Sequence, residues 1–147
     1  KATDMQAAIG CAQIKKLVGF TEKRRKNFDI LYSALKDCGE YLVLPEATEN
    51  SIPSWFGFAI TCKEGVGRSR IVRHLEKEGI QTRMLFAGNL VKHPCFDVMR
   101  EKDAGYRIVG SLKNTDRIMD NTFWIGVFPG MTGDMLMKMA EEIKACL

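Results

Sequence analysis

What the sequence lacks narrows it first. No two of its five cysteines, Cys11, Cys38, Cys62, Cys95 and Cys146, lie closer than the 24 positions separating Cys38 from Cys62. Zinc knuckles and redox pairs need ligands about two to four residues apart, so this spacing supplies neither. An odd, scattered set reads as free thiols of a reducing compartment, which points to the cytoplasm. No apolar run reaches the ~18 residues of a membrane helix, and the N-terminus has no basic-then-apolar segment of a secretory signal. Charge of one sign is also scarce. Twenty-two basic residues against 18 acidic ones leave a net +4, which is not the dense cationic field that a phosphate backbone demands. Neither a membrane nor a nucleic acid is expected as a partner.

Common catalytic fingerprints are missing too. No serine sits in a nucleophile elbow, and Gly65-Val66-Gly67 lacks the rest of a phosphate-binding loop. The two histidines, His74 and His93, have no second histidine or carboxylate at ligand spacing, so both read as surface or structural residues. Met131, Met135, Met137 and Met139 read as core filler and helix surface. Lys23-Arg24-Arg25-Lys26 is the one dense basic run; without interleaved aromatics it reads as a solvated helical face.

What is present is enough for one globular domain: 147 residues, 46% hydrophobic and 27% charged. Thr3 and Gln6 have capping-box spacing and predict a helix start. Met5, Ala8, Ile9, Ala12 and Leu17 form its apolar stripe, and Gly19 predicts a break. Thr21-Glu22 predicts a restart, with Phe28, Leu31, Ala34 and Leu35 buried and Gly39 as the stop. Strands are expected at Tyr41–Leu44, Trp55–Cys62, Ile80–Phe86 and Phe123–Phe128, with a polar loop at Glu46–Ser54. Helices are expected from a Ser69 cap to about Glu78, from Asn114 or Thr115 through Met119, and after Thr132 along Met135, Met139 and Ile143. Ala87–Gly110 gives no firm assignment. The order predicts an α/β domain of the two-layer α+β kind, a small sheet with helices on one side. No repeat or low-complexity linker interrupts it. The chain opens at Lys1 and enters a helix almost at once, so it reads as a fragment.

One passage stands out chemically. In Gln81-Thr82-Arg83-Met84-Leu85-Phe86-Ala87-Gly88-Asn89-Leu90 a strand delivers an arginine and then enters a glycine-containing loop. Arg83 offers a planar fork suited to carboxylate or phosphate, and it reads equally as an ordinary salt-bridge donor.

This passage, with Lys1–Gly10, Pro53-Ser54-Trp55-Phe56-Gly57-Phe58 and Asn114-Thr115-Asp116-Arg117-Ile118-Met119, resembles the DegT/DnrJ/EryC1/StrS family, and within it the CDP-4-keto-6-deoxyglucose-3-dehydrase branch. The resemblance covers essentially the whole chain. It implies the fold type I architecture of PLP-dependent transferases, a homodimer with active sites at the subunit interface, and pyridoxal or pyridoxamine phosphate as cofactor. Residues 1–38 would be connecting helices and 39–147 the small C-terminal domain, with the large N-terminal cofactor domain absent. The implied reaction is C-3 deoxygenation of a nucleotide-linked 4-keto-6-deoxyhexose, CDP-linked in this branch, in lipopolysaccharide or deoxysugar biosynthesis, with the cofactor ring as electron sink. An electron-transfer reductase would be the parent's partner.

The resemblance also says where the chemistry is not. The cofactor position, lysine in the aminotransferases and histidine in this branch, would lie outside the chain. The acid facing the pyridine nitrogen and the cysteines of a 2Fe-2S cluster would lie there too. No catalytic residue is therefore expected in this segment, no cofactor is expected on it alone, and the isolated fragment is expected to be inactive. Sugar aminotransferases commonly place a His-Tyr pair where this chain has Leu85-Phe86, which favours the dehydrase. Arg83, Leu85, Phe86, Asn89 and Arg107 are the expected pocket residues, Arg107 toward a sugar-nucleotide phosphate. A sugar aminotransferase and a non-catalytic interaction domain are the alternatives. Met5, Ile9 and Leu17 would normally pack on absent parts, so the fragment is expected to self-associate.

Overall fold

The computed structural model describes residues 1–147. Helix α1 (Asp4–Ile14) starts on the expected capping box: Gln6 N–H donates to Thr3 Oγ1 at 3.4 Å and Thr3 N–H to Gln6 Oε1 at 2.9 Å. None of its residues is buried, and Met5 and Ile9 are 79% and 62% exposed. The expected break at Gly19 falls instead at Lys15-Lys16, and α2 (Leu17–Leu35) runs through both Gly19 and Thr21. Phe20 N–H donates to Lys16 C=O, so the ladder is intact across the glycine. One interior glycine costs about 1 kcal/mol, which a 19-residue helix with a buried stripe absorbs.

That stripe is Asn27, Phe28, Leu31 and Leu35, with Ala34 half-buried. A 3-10 turn at Lys36–Cys38 follows, and the helical run stops at Gly39 as expected. Phe28 stacks on Trp55 with ring centroids 4.1 Å apart and meets Phe58 at 4.9 Å. The basic run beside it is not simply a solvated face. Arg24 donates to the carbonyls of Trp55 and Phe56, and Arg25 to those of Ile52 and Pro53 at 2.9 and 3.1 Å. These guanidinium forks satisfy loop carbonyls that no strand pairs, and so pin Trp55 on Phe28.

Four strands, β1 (Leu42–Val43), β2 (Gly57–Cys62), β3 (Thr82–Met84) and β4 (Thr122–Gly126), form one antiparallel sheet in the order β1-β2-β4-β3. Phe58 pairs with Ile125 and Ile60 with Phe123, and all four are fully buried on one face. Against that face pack α2, α3 (Arg68–Lys77) and the last helix, which supply Leu31, Leu35, Ile71, Leu75, Leu136 and Ile143. The two-layer arrangement read from the sequence is the one found.

Several boundaries differ. Helix α3 has Gly67 as its N-cap without a side-chain bond, two residues earlier than a Ser69 cap would place it. Arg68 anchors this end by donating to the carbonyls of Met119 and Thr122. Strand β3 is only three residues long, because Phe86 takes a left-handed conformation (φ +44°) that ends pairing. Ala87–Gly110 contains 3-10 turns at Leu90–Lys92 and Pro94–Phe96 and a short helix α4 (Asp97–Lys102). Helix α5 (Lys113–Asn121) begins before Asn114, with Lys113 N–H donating to Ser111 Oγ at 3.3 Å. Helix α6 (Gly133–Lys144) is capped by Thr132 as expected, but Leu136, Met139, Ala140 and Ile143 face the core and Met135 does not. A strict four-residue repeat drifts round the helix, and the face shared with α2 selects Leu136 over Met135.

The turn between α3 and β3 carries a pH-sensitive contact. Glu76 Oε1 accepts from both the backbone N–H and the hydroxyl of Thr82, each at 2.7 Å, and these bonds hold its carboxyl below the usual range. A depressed carboxylate stabilises the fold above its unfolded pKa, and that contribution is lost as pH falls through the folded one. Glu76→Gln should therefore show a shallower fall in denaturant midpoint between pH ~5 and pH ~2 than the unaltered chain. Equal slopes in urea titrations across that window would refute the assignment.

Candidate functional site

The expected pocket residues do not converge on one cavity. Arg83 sits on the open face of the sheet, opposite Trp124 in register, because alternation along β4 sends Phe123 and Ile125 inward and Trp124 outward. It lines a cavity of about 460 Å³ together with Trp124, Phe128, Met131 and Lys138. Its guanidinium makes no ion pair within 4 Å, so the salt-bridge reading open at the sequence level is not realised here. Phe56 packs against Trp124 at 5.0 Å and extends this apolar surface.

Leu85 and Phe86 line a separate cavity of about 350 Å³ with Gly88, Leu90, Thr115 and Ile118. Phe86 is 80% exposed despite its size. Arg107 is exposed in the loop after α4 and lines neither cavity.

Asn89 lines neither of these two cavities. It is 3% exposed; its Nδ2 donates to Asp116 Oδ1 at 2.7 Å and its Oδ1 accepts from Val91 N–H at 3.1 Å. Lys92 Nζ meets the same Asp116 oxygen at 2.9 Å. The Asn89 amide and then the Lys92 ammonium hold the Asp116 carboxyl below its ordinary value. Asn89 N–H also points at Met119 Sδ at 3.3 Å. Next to it Gly88 has φ +63°, and a Cβ there would come within 2.4 Å of Met119 Cγ. Farther round the loop, His93 Nε2 bonds the Ala87 carbonyl and Arg100 donates to the His93 carbonyl at 3.0 Å.

Asp116, Lys92 and Met119 were not singled out as site residues from the sequence. The signal was there in part, because Asp116 and Met119 belong to the same Asn114–Met119 motif that the family resemblance used. What the motif did not reveal is that it packs on the Leu85–Leu90 motif. His74, by contrast, bonds Glu142 at 2.7 Å and ties α3 to α6, a structural role.

The Leu85–Phe86 cavity has no group that would hold a pyridoxal phosphate. The walls at Leu85, Phe86, Ala87, Gly88, Leu90, Thr115 and Ile118 offer no amine for an aldehyde, no acid for a ring nitrogen and no cation for a phosphate. Their chemistry is that of a wall. No three histidine, cysteine or acidic side chains converge to hold a metal ion; Cys38, Cys62 and Cys146 are buried apart in the core, and burial pushes the Cys62 and Cys146 thiols up. No helix is long and apolar enough to cross a membrane.

The chain is 53% identical over 146 residues to the lipopolysaccharide biosynthesis protein RfbH of Salmonella typhimurium, covering 98% of this chain and 32% of that protein. It is 43% identical over 145 residues to the dTDP-4-dehydro-2,6-dideoxy-D-glucose 3-dehydratase of Saccharopolyspora spinosa, covering 97% and 30%. It thus spans about a third of the length of these relatives. Among solved structures, the E. coli GDP-4-keto-6-deoxy-D-mannose-3-dehydratase with bound hydrated PLP matches at 31% identity and a TM-score of 0.81, over 95% of this chain and 34% of that one. A Helicobacter pylori aminotransferase, PseC, at 14% identity and a TM-score of 0.83 over 99% of this chain and 38% of that one, shares the fold. The fold expected from the resemblance is the one these structures have. Residues 1–144 match the DegT/DnrJ/EryC1/StrS aminotransferase family, and with the match running through nearly every element described above, the chain belongs to that family.

Proposed function

We propose that this chain is the pocket-shaping part of a nucleotide-sugar 3-dehydratase acting on a 4-keto-6-deoxyhexose. In this reading residues 1–38 connect to the cofactor-bearing part of the enzyme and residues 39–147 form its small C-terminal domain. The observation that carries the reading is the apolar wall of Leu85 and Phe86 in a chain whose relatives include 3-dehydratases. Neither side chain can move a proton, so neither assists amine transfer at this position. Both exclude water and shape the space beside the sugar.

The pyridoxal or pyridoxamine phosphate, and the 2Fe-2S cluster with its reductase, belong in this proposal to the rest of a homodimeric enzyme. The residues here supply walls and, through Arg83, a fork for an anionic group of the substrate. Exposure of Met5, Ile9, Val18 and Leu17 is in keeping with α1 packing on parts outside this chain.

The test is a product assay on the full-length enzyme, reconstituted with pyridoxamine phosphate, an iron-sulfur cluster and a reductant, with CDP-, dTDP- and GDP-linked 4-keto-6-deoxyhexoses offered in parallel. A 3-deoxy product, with turnover highest on the CDP sugar, is expected. A 4-amino sugar formed with glutamate as donor would instead establish an aminotransferase, and no turnover on any of the three would favour an interaction domain.

A further inference from the structure

We propose that Asn89, Asp116 and Lys92 form a positioning clamp that joins α5 to the loop after β3 and fixes Phe86 as the pocket wall. The proposal rests on the reading of Leu85 and Phe86 as that wall.

Phe86 adopts φ +44° although it carries a bulky side chain, and the following Gly88 is also left-handed at φ +63°. A left-handed conformation is strained for a non-glycine residue and persists only where its surroundings over-determine it. Phe86 has no burial to compensate, being 80% exposed. Its only local bond is from its N–H to the Met84 carbonyl at 2.8 Å.

The determination comes from Gly88, Asn89 and Lys92 in the loop that follows. Gly88 lies so close to Met119 that no Cβ fits. Asn89, almost fully buried, spends its amide on Asp116 and its carbonyl oxygen on Val91 N–H. Lys92 closes on the same carboxylate from the far side of the turn. The loop therefore leaves β3 at one fixed point and is fastened to α5 at another, three residues beyond Phe86. Between those points the chain is too short to let the ring swing away. Asp116 lines neither cavity, and its carboxylate acts through Asn89 and Lys92, so it is a positioning residue.

The test uses Asp116→Ala, Gly88→Ala and the exchanged pair Asn89→Asp/Asp116→Asn in the full-length enzyme. Amide hydrogen exchange should accelerate by about tenfold or more at residues 86–91 in both single variants, while amides of α2 and α6 keep their protection. Substrate KM should rise and kcat/KM fall by about tenfold, with active sites counted by cofactor titration so that misfolded enzyme is discounted. The exchanged pair restores an amide-to-carboxylate bond in the opposite sense and should recover part of both losses. Unchanged exchange at 86–91 in Asp116→Ala and Gly88→Ala would overturn the clamp. Faster exchange with unchanged KM and kcat/KM would overturn its role in positioning. If the unaltered enzyme turns over none of the sugars, the functional reading above fails, and the exchange data still decide whether the clamp holds Phe86.

Discussion

Phe123→Ala should destabilise the chain by about 3–5 kcal/mol, the range for removing a fully buried aromatic ring without repacking. Phe123 is 0% exposed, pairs with Ile60 across the sheet and sits on the central strand against the helical layer. A domain of this size has about 5–15 kcal/mol in hand, so the loss removes a large fraction of it. Urea denaturation should show a much lower midpoint at unchanged slope. A loss under about 1 kcal/mol would mean that Phe123 is not part of the core as placed. Trp124→Ala is the natural control, because the neighbouring side chain points to the open face and its removal leaves no cavity within the core.

Arg83→Ala should lower kcat/KM of the full-length enzyme by about ten- to a hundredfold. Removing one charged hydrogen-bond donor to an anionic ligand costs about 1.5–3 kcal/mol. Arg83 is exposed, lacks an ion-pair partner and ends no buried network, so the fold should tolerate its loss. Steady-state kinetics with the nucleotide sugar, alongside a thermal melt, separates the two effects. Lysine at this position should recover less than half of the loss, since a point charge does not reproduce a bidentate fork. Unchanged kinetics would remove Arg83 from the binding site and leave its cavity without an assigned ligand.

The parts of this fold that were legible in sequence are those whose determinants are local. Thr3 with Gln6, Thr132 before α6, and Gly39 after the α2 stripe each act within four residues of their own backbone, and each was read correctly. The alternation of Phe58, Ile60 and Cys62 identified a strand for the same reason. Gly19 and Ser69 misled because local preference was outweighed by the helices around them: α2 has enough buried surface to run through a glycine, and α3 is anchored by Arg68 to α5 rather than capped by its own serine.

The site was less legible, and Asn89 shows why. Its side chain is buried only because Asp116 lies 27 residues downstream, and no local pattern announces such a partner. Read alone, Asn89 looks like a polar loop residue free to meet a ligand. The same holds for Arg24 and Arg25, whose partners are backbone carbonyls of the loop before β2. Arg83 was singled out because an expected strand delivers it to a glycine-containing loop, and Leu85 and Phe86 through the family resemblance alone; neither route reveals that Arg83 and Phe86 line different cavities.

The strand order has a consequence for how the chain is made. Strand β4 lies between β2 and β3, although it is the last of the four to be synthesised. Until residues 122–126 leave the ribosome, β2 can pair only with the two residues of β1, and β3 has no neighbour at all. A nascent chain ending before Thr122 therefore shows bare strand edges and an uncovered Phe58 and Ile60, the kind of surface that aggregates or recruits chaperones. Sheet closure must wait on contacts of long sequence separation, so folding is expected to be slow and late, completed only when β4 slots into place and α6 seals the layer behind it.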